Sequence, residues 1–115
     1  MAKYIGKEDD FQKAVARYLD SLGVLWLHCP NEGKVPVHYR AKQKAKGLKS
    51  GVPDILIFEP KGKFNGMAIE LKVGYNKPSE AQIQWLDDLT AKKWYCIVAY
   101  DLDLAIKEID LYLEL

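Results

Sequence analysis

The chain has 115 residues, 49% hydrophobic and 29% charged, which suits one globular domain and is too short for two ordinary ones. Roughly two-thirds of the surface of such a chain can be buried, so neither disulfides nor a structural metal is required for folding. The 17 basic and 16 acidic residues leave a net charge of +1, no run nears the ~20 apolar residues of a membrane span, and MAKYIGKEDD lacks the apolar stretch of a signal peptide.

Two cysteines, Cys29 and Cys96, each end an apolar run outside any CxxC pattern, and read as reduced thiols of a cytosolic protein. The charge is unevenly spread. Residues 30–50 carry Lys34, Arg40, Lys42, Lys44, Lys46 and Lys49 against the single acid Glu32, a local balance of +5, while the remainder carries eleven bases and fifteen acids, or −4. A basic segment on a slightly acidic body fits an anionic partner, and equally a solvated loop.

In chain order, Phe11, Ala14, Val15, Tyr18 and Leu22 recur at helical spacing over 8–22, and Gly23 stops the helix. VLWLHC (24–29) reads as a strand closed by Pro30. The basic connector follows, with a short helix predicted over 39–48. Gly51 and Pro53 lead into the strand DILIF, and EPKGKFNG reads as a hairpin link to the strand MAIELKV. Ser79 is a credible N-cap for a helix to about Ala91. WYCIVAY is a fourth strand, and Leu102, Ala105, Ile106, Ile109 and Leu113 stripe a last helix. The order is α-β-(α)-β-β-α-β-α, an α/β mixed sheet flanked by helices, whose last β-α-β portion permits a right-handed crossover.

Four charged or polar features do not fit a simple core. Glu70 and Lys72 share one face of the third strand, opposite Ile69, Leu71 and Val73. Asp54 opens an apolar strand behind Pro53, and pairing of the second and third strands as a hairpin brings it toward Glu70. Two such carboxylates repel unless a cation lies between them, and hard oxygen ligands suit Mg²⁺ or Mn²⁺. Gln82 sits on the inward stripe with Trp85, Leu86 and Leu89. Glu8 heads the inward stripe of the first helix, with Gln12 one turn on. Ordinary readings exist for each: a surface ion pair for Glu70 and Lys72, a turn residue for Asp54, a capping box with Ser79 for Gln82, and a favourable dipole contact for Glu8. The ordered set Glu, PD, ExK, Gln on α, β, β, α is the stronger signal.

That set resembles the PD-(D/E)xK nuclease superfamily, and more closely the VRR-NUC (virus-type replication-repair nuclease) domain. The residues that carry the resemblance are Glu8 and Gln12 in EDDFQKAVARYL, PNEG at 30–33, KGLKSGVPDILIF with Asp54, IELK with Glu70 and Lys72, and PSEAQIQWLDDL with Gln82. It spans nearly all of residues 1–115 as one domain. AKKWYCIVAY departs from it, since family members often carry a glycine before the last strand.

The resemblance implies a restriction-endonuclease-like core of α-β-β-β-α-β order and a divalent-metal-dependent phosphodiesterase acting on DNA. It implies Asp54 and Glu70 as ligands of Mg²⁺ or Mn²⁺, with the Leu71 carbonyl as a further ligand and Glu8 completing the site directly or through water. Lys72 would orient the attacking water or stabilise charge on the phosphorane, and Gln82 would position Lys72 or the scissile phosphate. The basic connector and Lys77 would contact phosphates, which position a duplex without reading its sequence. Stand-alone members look like homodimers that resolve Holliday junctions, and a two-fold dimer matches the pseudo-symmetry of a four-way junction. Rival readings are a flap, nick or restriction-type nuclease of the same fold, and an inactive DNA-binding module. Small size and family imply the cytoplasm of a bacterial or phage-infected cell.

Overall fold

The computed structural model describes residues 7–30 and 36–115. Its elements are α1 (Lys7–Leu22), β1 (Trp26–His28), α2 (Val37–Ala45), β2 (Ile55–Ile57), β3 (Gly66–Leu71), α3 (Glu80–Ala91), β4 (Trp94–Ala99) and α4 (Leu102–Leu113). The strands form one sheet in the order β1-β2-β3-β4, antiparallel across the first two pairings and parallel between β3 and β4. This is the expected mixed four-stranded sheet flanked by helices, in the expected order.

Alternation along β3 decides how the sheet is covered. Met67, Ile69 and Leu71 pair laterally with Ile57, Ile55, Tyr95, Ile97 and Ala99, and this face packs with Phe11, Val15 and Leu19 of α1 and Ala105, Ile109 and Tyr112 of α4. Ala68 and Glu70 alternate with that set, on the face toward α3. Every residue of β3 is buried, whereas β4 is only partly covered until Ala99. The Tyr18 hydroxyl donates to Asp110, tying α1 to α4, and the Tyr112 hydroxyl donates to the Glu59 carbonyl at 2.6 Å.

Two predicted stripes shift by a residue or so. Leu19, not Leu22, completes the buried face of α1, because Leu22 lies in the last turn and is 41% exposed. On α4, Tyr112 is buried and Leu113 only partly so. In the connector, α2 starts earlier and stops earlier than the predicted 39–48. Pro36 sets the entry with φ −53°, and Gly47 ends it by turning to φ 113°. No residue of α2 is buried.

The loop after α2 is seated by one glycine. Gly51 has φ 81°, and a Cβ there would lie 2.6 Å from the Ala81 carbonyl carbon. Only glycine lets the KGLKSGVPD loop press against the first turn of α3 while it feeds Asp54 into the sheet. Lys93, before β4, has φ 67°, the left-handed conformation that favours glycine. The missing family glycine thus leaves a lysine in a glycine position.

Candidate active site

Strand register brings the two carboxylates together. Ile55 pairs with Ile69, so one step outward along each antiparallel strand sets Asp54 opposite Glu70. Asp54 Oδ2 accepts the Leu71 amide at 2.7 Å, which fixes its carboxylate at the end of β3. On the other side of β2, the Cys29 amide (2.8 Å) and the His28 ring at Nδ1 (2.9 Å) meet the Asp54 carbonyl. No motif in the sequence points to these β1 contacts. They follow from the antiparallel pairing of the WLH strand with β2.

Glu70 is 2% exposed, the buried charged residue of the described core. Its two oxygens have different surroundings. Oε2 accepts the Gln82 Nε2 amide at 2.9 Å and lies 3.4 Å from Lys72 Nζ. Oε1 is buried and has no hydrogen-bond partner among the described residues. Lys72, two residues along the same strand face, is 13% exposed and leans back over Glu70. A buried acceptor without a donor costs about 1–3 kcal/mol, more when charged, and sites that keep one usually use it.

Electrostatics follow from that burial. Desolvation, and then the negative charge of Asp54, push the Glu70 carboxyl up to about 7, against the pull of Lys72. Asp54 is also raised, chiefly by desolvation, with the Leu71 amide, Glu70, His28 and Lys72 working against it. Two facing carboxylates in a shielded place cannot both ionise cheaply, so without a cation Glu70 retains a proton near neutrality.

Gln82 does two jobs with one side chain. Its Oε1 accepts the Ser79 amide at 2.8 Å while the Ser79 hydroxyl accepts the Gln82 amide at 3.2 Å, closing a capping box. Its Nε2 is left to hold Glu70. The capping box is formed, and the same side chain also reaches the carboxylate; the contact runs to Glu70, not to Lys72.

Other predicted residues lie farther out. Glu8 is exposed in the first turn of α1 and Gln12 is half-buried one turn on; neither has a hydrogen bond to Asp54, Glu70 or Lys72. Leu71 contributes its amide to Asp54, as above. Arg40, Lys42 and Lys44 lie on α2, Lys46 and Lys49 follow it, and Lys77 stands in the loop before α3; all but the half-buried Arg40 are exposed. Lys34 and residues 31–33 of PNEG lie outside the described residues.

Does this donor set fit a divalent cation? Among the described residues no three His, Cys, Asp or Glu side chains form a ready cage. Mg²⁺ and Mn²⁺ do not need one, because they keep several waters and bind through one or two carboxylates. The facing carboxylates of Asp54 and Glu70, with the bare Oε1, fit such an ion.

An aspartate and an ExK pair joined across adjacent strands of a mixed sheet, with helices on both faces, define a nuclease domain of the PD-(D/E)xK type. A family model of the VRR-NUC domain matches residues 7–100. The chain belongs to the VRR-NUC family. A solved structure described as a VRR_NUC domain protein is 30% identical, with a TM-score of 0.68 over 78% of this chain and 68% of that one. A second, a VRR_NUC domain at 23% identity, shares the fold with a TM-score of 0.64 over 92% of this chain and 97% of that one. No curated protein matches. No helix among the described residues is long and apolar enough to cross a membrane.

Proposed function

We propose that this nuclease domain is a Mg²⁺- or Mn²⁺-dependent DNA endonuclease that selects branched duplexes and, as a homodimer, cuts Holliday junctions. The observation that carries the catalytic part is Glu70: a buried carboxylate facing Asp54, with one oxygen held by Gln82 and Lys72 and the other bare. Asp54 and Glu70 would hold the metal, with the Leu71 carbonyl and Glu8 as further ligands, Glu8 directly or through water. When bound, the ion would act as a Lewis acid on the phosphodiester and make water a stronger nucleophile at neutral pH.

The chain's own groups supply the rest. Lys72, whose ammonium lies 3.4 Å from Glu70, would orient the attacking water and offset charge that builds on the phosphorane. Gln82 fixes the Glu70 carboxylate from α3, so the helix cap and the site are set by one hydrogen-bond network. The Leu71 amide orients Asp54. Arg40, Lys42, Lys44, Lys46 and Lys49, with Lys34 and Lys77, contact backbone phosphates, which favours recognition of DNA shape over sequence.

Substrate choice is tested by incubating the protein with four-way junction, flap, nicked and linear DNA in Mn²⁺. Preferential cutting of the junction, with dimers in light scattering, is the expected result. Cutting of flaps alone would remove the resolvase reading and leave the nuclease. Binding without any cutting would favour a DNA-binding module.

A further inference from the structure

We propose that Tyr75 is a base-stacking residue that lets this nuclease recognise the unstacked bases of a branched DNA beside the cleaved phosphate. The inference rests on the nuclease reading above and extends it to a residue that reading leaves unused.

Tyr75 is 99% exposed, the most exposed large apolar side chain among the described residues. A single exposed tyrosine is ordinary by itself. What distinguishes this one is the loop that carries it. Residues 73–78 leave the sheet directly after Lys72, whose ammonium lies 3.4 Å from Glu70, and they return at Ser79, whose capping partner Gln82 holds Glu70 at 2.9 Å. Both ends of the loop are therefore pinned to the same buried carboxylate.

The tip itself is a tight turn. The Asn76 amide donates to the Val73 carbonyl at 3.2 Å, and Gly74 has φ 61°, as the first central residue of a type II′ turn requires. Tyr75 is the second central residue and projects into solvent. Pro78 stiffens the return, and Lys77, exposed two residues after Tyr75, adds a cation to the same loop. Lys72 and Tyr75 are three residues apart, so their backbones lie at most about 10 Å from one another, and the ring is carried on the loop that leaves the Glu70–Lys72 pair.

An aromatic face set beside cations takes a nucleobase whose phosphates bind nearby, and it does so with little regard to base identity. In a continuous duplex the bases are already stacked on one another and offer the ring nothing. At a branch the continuous stack is interrupted, so a base there is drawn out onto the ring at lower cost. Tyr75 thereby converts a phosphate-binding surface that reads no sequence into one that favours branched DNA.

The test uses the whole protein, as wild type and as Tyr75→Ala, Tyr75→Phe and Tyr75→Trp, with Ca²⁺ in place of the catalytic ion. Binding is measured to a four-way junction and to a linear duplex, each carrying the fluorescent base 2-aminopurine, placed beside the branch point in the junction. Wild type, Tyr75→Phe and Tyr75→Trp are expected to quench the junction probe. Tyr75→Ala should lose the quenching and about 5- to 100-fold in junction affinity, with its duplex affinity unchanged. Junction binding and quenching that Tyr75→Ala leaves unmoved would overturn this inference alone. A wild-type protein that binds none of these DNAs would overturn the nuclease reading and this inference with it.

Discussion

Glu70 is a buried carboxyl group whose ionised form opposes folding. It binds its proton more tightly in the folded chain, with a value raised from 4.5 to about 7. Between those values the folded state holds the extra proton, so in chelator stability falls as pH rises through that window. A shift of this size corresponds to stabilisation on the order of 3 kcal/mol that is present at pH 4 and lost by pH 8. Asp54 is raised as well and acts in the same sense. Glu70→Gln removes the effect, so the melting temperature of that variant in chelator should fall less from pH 5 to pH 8 than that of wild type. Mn²⁺ should raise the wild-type melting temperature more at pH 8 than at pH 5. Equal pH slopes in the two proteins by calorimetry would count against a carboxyl with a raised value at position 70. At the same scale, Gln82→Ala should cost more activity than Ser79→Ala. Both break the capping box, worth about 1 kcal/mol, but only the first releases Glu70. Steady-state cleavage rates of the two folded variants make the comparison.

At the scale of elements, the sequence was legible wherever a period repeated. Alternation in MAIELKV located β3 and set Glu70 and Lys72 on one face, and the stripe of α3 set Gln82 inward. Asp54 opposite Glu70 followed from one hairpin. What remained hidden depended on distant partners. The bare Oε1 of Glu70 and the choice of Gln82 for Glu70 over Lys72 come from how α3 sits on the sheet. The contacts of Cys29 and His28 with Asp54 need β1 paired at a distance of about 25 residues along the chain. The helix in the connector shifted because Pro36 and Gly47, not apolar spacing, bound it. Lys93 is the reverse case, where the sequence flagged a glycine missing and the backbone kept the glycine conformation at φ 67°. A side chain in that region costs about 1 kcal/mol. Lys93→Gly should therefore stabilise the chain by a few tenths to 1 kcal/mol, read as a higher urea midpoint with unchanged slope. A lower midpoint would mean the lysine makes a contact that outweighs its backbone strain.

The whole molecule separates two kinds of work. A sheet covered by α1 and α4 on one face and α3 on the other holds a small buried carboxylate site, while α2, with no buried residue, carries basic side chains on the outside. Family membership accounts for the first. The second predicts that DNA affinity falls steeply with salt, with a log–log slope near −0.9 per neutralised phosphate. Lys42→Ala, Lys46→Ala and Lys49→Ala should each flatten the slope by about one and weaken junction and duplex alike. A slope that none of them changes would place the DNA on another face. The central claim is that Asp54 and Glu70 form a metal-dependent nuclease centre. Its most direct test is cleavage of a four-way junction by wild type and Asp54→Ala, each with Mn²⁺ and with chelator. The account predicts nicked product from wild type in Mn²⁺ alone. Product from Asp54→Ala at the wild-type rate, or from wild type in chelator, would contradict it.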